Sequence, residues 1–183
     1  MARLVPFLAG ISYDRLEQEG GIQWPCPTSD HPWTRFLYAE SFPIGKAQFI
    51  PVIQTAAAAE LPDRDYPFLL NTGRILYHWH GGTLTRRVKG LLELAPRLEV
   101  AINPTDAQRL GLDEGTPVRL SSRRGELTAY TQITEAVRAG EVFIPFVKLA
   151  ESGANILTNS AFDPLAKIPE YKVCAVAIER LGQ

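Results

Sequence analysis

The chain has 183 residues, 45% of them hydrophobic and 21% charged, the balance of a globular protein with one core domain and an appendage. Its net charge of −1 gives no overall field that would select nucleic acid or an anionic membrane surface. Two cysteines, Cys26 and Cys174, exclude a disulfide scaffold, and they exclude an iron–sulfur cluster or Cys-rich zinc site built by this chain alone, since such sites take roughly three or four ligands. No apolar run approaches the roughly 18 residues of a membrane span. The opening MARLVPFLAG lacks the small-residue cleavage pattern of a signal peptide. The expectation is a cytoplasmic protein without membrane insertion, or one exported as part of something larger.

In chain order, residues 1–65 differ from the rest and are read as an N-terminal extension. A short helix is predicted from Tyr13 to Glu19, stopped by Gly20-Gly21. Pro25, Pro27 and Pro32 then forbid regular structure. FPIGKAQFIPV suggests a hairpin strand around Gly45. TAAAAELPDRD reads as a linker whose alanines could be helical, with Pro62 marking a boundary. The main domain is placed at 66–183. PFLLNTG and LEVAIN read as strands. Asn103 caps a helix that has Pro104 at its first position and stops at Gly111, with Ala107 and Leu110 on its inner face. TPVRLSS and ELTAYTQIT flank a hairpin turn at Arg123-Arg124-Gly125, with Gly125 expected in the left-handed region. Leu127, Ala129 and Ile133 share a face. EVFIPF and YKVCAVAIE are the last strands. Short strands, one capped helix and long connections argue for a closed or nearly closed β-barrel with small helices.

Residues 66–92, YPFLLNTGRILYHWHGGTLTRRVKGLL, stand apart. They hold Arg74, Arg86, Arg87 and Lys89 and no acidic residue, although the whole chain has 20 acidic residues against 19 basic ones. Arginine bonds phosphate bidentately, and the hydroxyls of Thr83 and Thr85 can donate to it. Glycines such as Gly73, Gly81 and Gly82 let backbone N–H groups come close to oxygens. His78, Trp79 and His80 offer flat faces to a heterocycle. The mixture fits a polyanionic, partly aromatic ligand, and a merely basic, solvated loop is the competing reading. Neither G-x-x-x-x-G-K-[ST] nor G-x-G-x-x-G occurs. His78-x-His80 supplies two metal ligands where more are needed. Cys174 reads as a small core residue. Cys26, between two prolines, reads as more exposed, and a nucleophilic role for it would need a base such as His31.

GGIQWPCP (20–27), NTGRILYHWHGGTLTRR (71–87), INPTDAQRLGLDEGTPVRLSSRRGE (102–126), GEVFIPF (140–146), ANILTN (154–159) and DPLAKIPEYKVCAVAIE (163–179) resemble, in order, the C-terminal region of formate dehydrogenase catalytic (alpha) subunits. Those belong to the molybdopterin oxidoreductases typified by dimethyl sulfoxide reductase. The resemblance covers nearly the whole chain. It implies a mainly β fold, a six-stranded double-psi β-barrel with short helices, preceded at 1–65 by a connection from an earlier domain. It implies a bis(molybdopterin guanine dinucleotide) cofactor carrying Mo or W, shared with domains not in this chain. On the residues that match, cofactor contacts would fall on Thr72, Gly73 and Arg74 at the strand end. His78, His80, Thr83, Leu84 and Thr85 match the loop along pterin and phosphates, with Arg86 and Arg87 as phosphate neighbours and Arg86 preferred of the two. Asn155 matches a pterin-end contact, and Tyr171 and Lys172 a late pair. The metal ligand, the catalytic histidine and arginine and the iron–sulfur cysteines would lie in earlier domains, so no catalytic or metal-binding residue and no iron–sulfur cluster is expected here. The implied partners are those domains and, indirectly, iron–sulfur or electron-transfer subunits. The location would be periplasmic only if the parent subunit is exported. The same barrel in a related nitrate reductase, or a free-standing cofactor-binding or assembly subunit, are the alternatives.

Overall fold

Alternating burial along short β-branched runs produces six strands: β1 (Phe68–Gly73), β2 (Glu99–Ile102), β3 (Pro117–Ser121), β4 (Glu126–Ile133), β5 (Glu141–Pro145) and β6 (Cys174–Arg180). The structure is a computed structural model describing residues 2–39, 41–42, 44–53, 57–149 and 153–182. It separates into two compact units, Met1–Gln54 and Thr55–Gln183.

In the first unit, α1 (Tyr13–Glu19) starts where Ser12 Oγ accepts from the Arg15 amide at 3.2 Å, and ends at Gly20 with φ 69°. The Arg15 side chain folds back as the unit's internal tie. It donates to the carbonyls of Gly10 at 3.2 Å, Thr28 at 3.4 Å and His31 at 2.5 Å, and it lies 3.3 Å from Cys26 Sγ. Cys26 is fully buried, which corrects the expectation of an exposed thiol: the prolines beside it break regular structure without bringing it to the surface. His31 Nδ1 accepts from the Trp33 amide at 3.1 Å, and His31 approaches the thiol through its carbonyl, as Thr28 does, and not through its ring, so no base is presented to Cys26. The expected hairpin around Gly45 is reduced to one isolated bridge, Phe42 to Gly45.

In the second unit the strands close into a barrel in the order β1-β5-β2-β4-β3-β6. β1 and β5 are parallel, as are β2 and β4, and the other four pairings are antiparallel. Phe68, Leu70, Val100, Ile102, Val118, Leu120, Val142, Ile144 and Val176 fill the interior at 0–1% exposure. Each such side chain contributes about 1.5–3 kcal/mol by leaving water. The fold is thus the closed six-stranded double-psi β-barrel with short helices that the resemblance implied. Among the described residues, two α-helices accompany it. α2 (Lys89–Leu94) was not anticipated. In α3 (Pro104–Leu110), the Asn103 side chain accepts from the Thr105 amide at 3.0 Å, and Gly111 has φ 65°.

Register fixes which loops share an end of the barrel. β1 and β5 finish together at Gly73 and Pro145. β6 runs against β1, so its start at Cys174 lies at the same end. β3 runs against β6 and meets β4 through the Ser121–Glu126 pair, which puts the β3–β4 turn there too. β2 runs against β5, so Glu99 also starts there. The connections 74–98, 122–125 and 146–173 therefore all emerge at one end. Residues 103–116, which include α3, and residues 134–140 occupy the other.

Gly125 is not in the left-handed region expected for it. The requirement there is space: a Cβ would stand 2.6 Å from Ile156 Cγ1. The β3–β4 turn is packed against the 3-10 turn Ala154–Ile156, and a long-range contact, rather than turn geometry, demands glycine.

Candidate functional site

The end of β1 is tied to the segment preceding β6. Thr72 is fully buried, and its Oγ1 donates to the Tyr171 carbonyl at 2.6 Å. Lys172 Nζ donates back to the Thr72 carbonyl at 2.8 Å. Gly73 is closed over by Phe143, whose Cε2 would lie 2.7 Å from a Cβ. Packing therefore already explains this glycine without a ligand oxygen. The Gly73 carbonyl accepts from the Phe146 amide at 2.9 Å. Phe146 packs edge-on against Tyr171, with ring centroids 5.3 Å apart.

After Gly73 the chain makes a tight turn closed by an antiparallel bridge between Ile75 and His78. Arg74 is exposed, its guanidinium 5.5 Å from the Trp79 ring centroid. His78 is 2% exposed, and both its ring nitrogens are engaged within the protein: Nδ1 with Thr85 Oγ1 at 3.1 Å and Nε2 with the Ala95 carbonyl at 3.2 Å. A carbonyl can only accept, so Nε2 carries the proton. Thr85 Oγ1, which shares the bond with Nδ1, also accepts from the Trp79 amide at 3.2 Å. This chain of hydrogen bonds closes the base of a loop whose outer residues are free. Trp79, His80, Thr83 and Leu84 are exposed, and His80 has φ 51°. Gly81 has open space where a Cβ would be, the one glycine of this loop at which a ligand oxygen can approach the backbone directly. Gly82, at φ 73°, sits under Val147, 2.6 Å from a would-be Cβ. The Gly81 carbonyl accepts from the Lys148 amide at 3.1 Å, and the Arg86 guanidinium donates to the Lys148 carbonyl at 3.3 Å. Arg86 is half-buried.

Gly73, Tyr171 and Arg86 are thus joined through residues 146–148, which sequence reading did not single out; Thr72 and Lys172 are tied to the same corner, and His78 and Thr85 are bonded to each other beside it. Their signal was weak: FVK simply continues the β5 strand pattern. Arg74, His80, Thr83 and Leu84 present outward from the same scaffold. Asn155 stands apart from these contacts. It is exposed on the 3-10 turn Ala154–Ile156, at the same end of the barrel, and its carbonyl accepts from Thr158 Oγ1 at 3.0 Å. His78 and His80 do not form a metal pair, because the His78 ring is fully employed. Among the described residues, no three His, Cys, Asp or Glu side chains gather as a metal site would require, and no helix is long and apolar enough to cross a membrane.

The donor set at this end consists of Arg74, Arg86 and Lys172, the Thr83 hydroxyl and the open backbone at Gly81, beside the flat faces of Trp79 and His80. Cations and hydroxyls can hold phosphate oxygens, and the aromatic faces can cover a fused ring. These residues fit a pterin dinucleotide, which is polyanionic in the middle and planar at both ends.

Relatives match the chain almost from end to end. The F420-dependent formate dehydrogenase subunit alpha of Methanocaldococcus jannaschii is 47% identical over 181 residues, 98% of this chain and 26% of the relative. The assimilatory nitrate reductase catalytic subunit of Bacillus subtilis is 38% identical over 173 residues, 93% of this chain and 24% of the relative. The chain spans about a quarter of the length of the curated relatives it matches. Among solved structures, acetylene hydratase from Pelobacter acetylenicus superposes with a TM-score of 0.54 over 63% of this chain and 18% of that one, at 18% identity, which shows the fold. The family model described as the molydopterin dinucleotide binding domain matches residues 68–175, from the start of β1 into β6 and across every loop at the site end, and the chain belongs to that family.

Proposed function

We propose that this chain is the cofactor-binding barrel of a formate dehydrogenase catalytic subunit, holding a bis(molybdopterin guanine dinucleotide) with Mo or W between itself and the preceding domains. The observation that carries this reading is the gathering of Arg74, His80, Gly81, Thr83, Arg86, Asn155, Tyr171 and Lys172 at one end of the barrel. The similarity to formate dehydrogenase alpha subunits supports the choice of reaction. In this reading residues 1–65 lead in from the preceding domain, and 66–183 form the binding domain. The bound group supplies the two-electron chemistry that takes formate to CO2. The chain's residues bind and orient it: Arg74, Arg86 and Lys172 neutralise phosphate, Thr83 and the Gly81 amide donate to it, and Trp79, His80 and Leu84 cover its flat parts. Thr72, Gly73, His78 and Thr85 hold the shape of this surface, and Asn155 reaches the pterin end. The metal ligand and the proton-handling residues lie in the other domains, so the barrel alone does not turn over formate. Electrons leave through iron–sulfur or other electron-transfer subunits, and the complex is cytoplasmic.

Pterin released from the natively purified protein and read by fluorescence after oxidation tests the binding. Arg74→Ala lowers pterin and metal content together, and unchanged content in that variant overturns the reading. The second reading, a nitrate reductase, is favoured by the 38% identity to the Bacillus subtilis enzyme. Formate- and nitrate-dependent electron transfer, assayed side by side on the holoprotein, separates the two.

A further inference from the structure

Glu60 and Arg124 are 64 residues apart in sequence, and neither carries an obvious role. Glu60 falls in a stretch read as a linker, and Arg124 in a hairpin turn. Their side chains are nonetheless mostly buried, at 12% and 28% exposure. The carboxylate and guanidinium meet face to face, Nη1 donating to Oε2 at 2.6 Å and Nη2 to Oε1 at 2.9 Å. The Ala175 amide, at the start of β6, donates to the same Oε1 at 2.7 Å. Arg124 has donors left over, and they converge on one atom: Nε and Nη2 both donate to the Leu157 carbonyl, at 3.1 and 2.8 Å. Leu157 directly follows the 3-10 turn that carries Asn155. The neighbouring Gly125 leaves room for Ile156 of the same turn. Beyond the turn, Asn159 is fastened to the start of β6 by donating from its side chain to the Val173 carbonyl at 2.8 Å.

We propose that Glu60 and Arg124 are positioning residues for the cofactor contact at Asn155, with Glu60 holding the Arg124 fork so that it grips the Leu157 carbonyl and fixes the turn. This rests on the reading of Asn155 as a cofactor contact. The geometry makes the guanidinium fork itself necessary. A charge alone pairs with Glu60, whereas only a planar group with five donors pairs with the carboxylate and clamps a carbonyl at the same time. Arg124→Lys is the discriminating change: an ammonium at 124 keeps a charge for Glu60 and loses the fork that also holds the Leu157 carbonyl.

The test has two arms. In the full chain, backbone amide exchange is followed at Ile156, Leu157 and Thr158, whose amides are bonded within the turn. Glu60→Gln and Arg124→Lys each speed exchange there by about tenfold while amides of β1 and β5 keep their rates. Wild-type rates in Arg124→Lys overturn the proposal. Should the variants fold poorly, the wild-type chain decides: Arg124 Nε–H shows a scalar coupling through its hydrogen bond to the Leu157 carbonyl carbon, and an absent coupling overturns the grip. In the holoprotein, pterin content falls in Asn155→Ala, Glu60→Gln and Arg124→Lys alike. Full content in Asn155→Ala overturns the reading of Asn155 and the proposal with it. Loss in Asn155→Ala with full content in the other two overturns the proposal alone.

Discussion

Lys172 and Thr72, 100 residues apart, hold each other's segments: the ammonium donates to the Thr72 carbonyl at 2.8 Å, while the Thr72 hydroxyl donates to the carbonyl of Tyr171 at 2.6 Å. The end of β1 and the approach to β6 are one rigid corner. Thr72→Val keeps the shape and removes the donor, leaving the Tyr171 carbonyl without it. The expected cost is about 1–2 kcal/mol, read as a lower urea midpoint with an unchanged slope. An unchanged midpoint removes the hydroxyl from this corner.

Two glycines separate steric crowding from backbone strain. Gly125→Ala places a methyl against Ile156 without demanding a left-handed backbone, and Ile156 is 40% exposed and can give way. The expected loss is about 1 kcal/mol, and Gly125→Ala/Ile156→Ala recovers most of it. Gly82→Ala meets fully buried Val147 and also carries φ 73°. It loses about 2–4 kcal/mol, and Val147→Ala restores only part. Denaturation of these four variants, with single Ile156→Ala and Val147→Ala and the wild type, gives the two cycles.

Acid should weaken the second unit through Glu60. Burial pushes its carboxyl up, but the hydrogen bond from Arg124, the Ala175 amide and the nearby guanidinium charges outweigh it, so the pKa lies below the ordinary 4.5. Between the two values the unfolded chain binds more protons. The contribution is therefore full above pH 4.5 and is lost as pH falls through the lower, folded value. Plots of unfolding free energy against pH for wild type and Glu60→Gln are expected to be separated at neutral pH and to converge in acid. Parallel curves count against the linkage.

Cys174 is fully buried, its sulfur accepts from the Asn159 amide at 3.2 Å, and burial pushes its thiol above the ordinary 9.0. Cys26 is equally buried. Iodoacetamide at pH 8 is expected to leave both unmodified in the native chain and to label both after denaturation, as mass spectrometry would show. Rapid labelling of either one contradicts its burial.

Strands, α1 and α3 were legible because their signals are local. Period-two burial, the Asn103–Pro104 start and the Gly20 and Gly111 stops need no knowledge of distant chain. The hairpin around Gly45 failed because alternation alone does not supply a partner strand, and among the described residues a single bridge forms there. The site was legible as composition, since no acidic residue interrupts 66–92. What composition could not reveal was the division of labour within it. Buried His78 serves Ala95 and Thr85, while Thr83 and Leu84 face outward. Gly73 and Gly82 make room for Phe143 and Val147, whereas Gly81 between them in the loop leaves its backbone open. These assignments depend on which residues from 143–148 arrive alongside, and that is set by the parallel pairing of β1 with β5. Glu60 and Arg124 were invisible for the same reason: their meeting is made by barrel closure.

Each of the six strands has a neighbour on both sides, so the sheet offers no free row of amides and carbonyls to a passing chain. Self-association by strand pairing, the usual hazard of a β domain separated from its surroundings, is closed off. A partner cannot lengthen this sheet either. Whatever docks must read side chains and loops, and loops can change their chemistry over generations without disturbing the hydrogen-bonded ring that carries them.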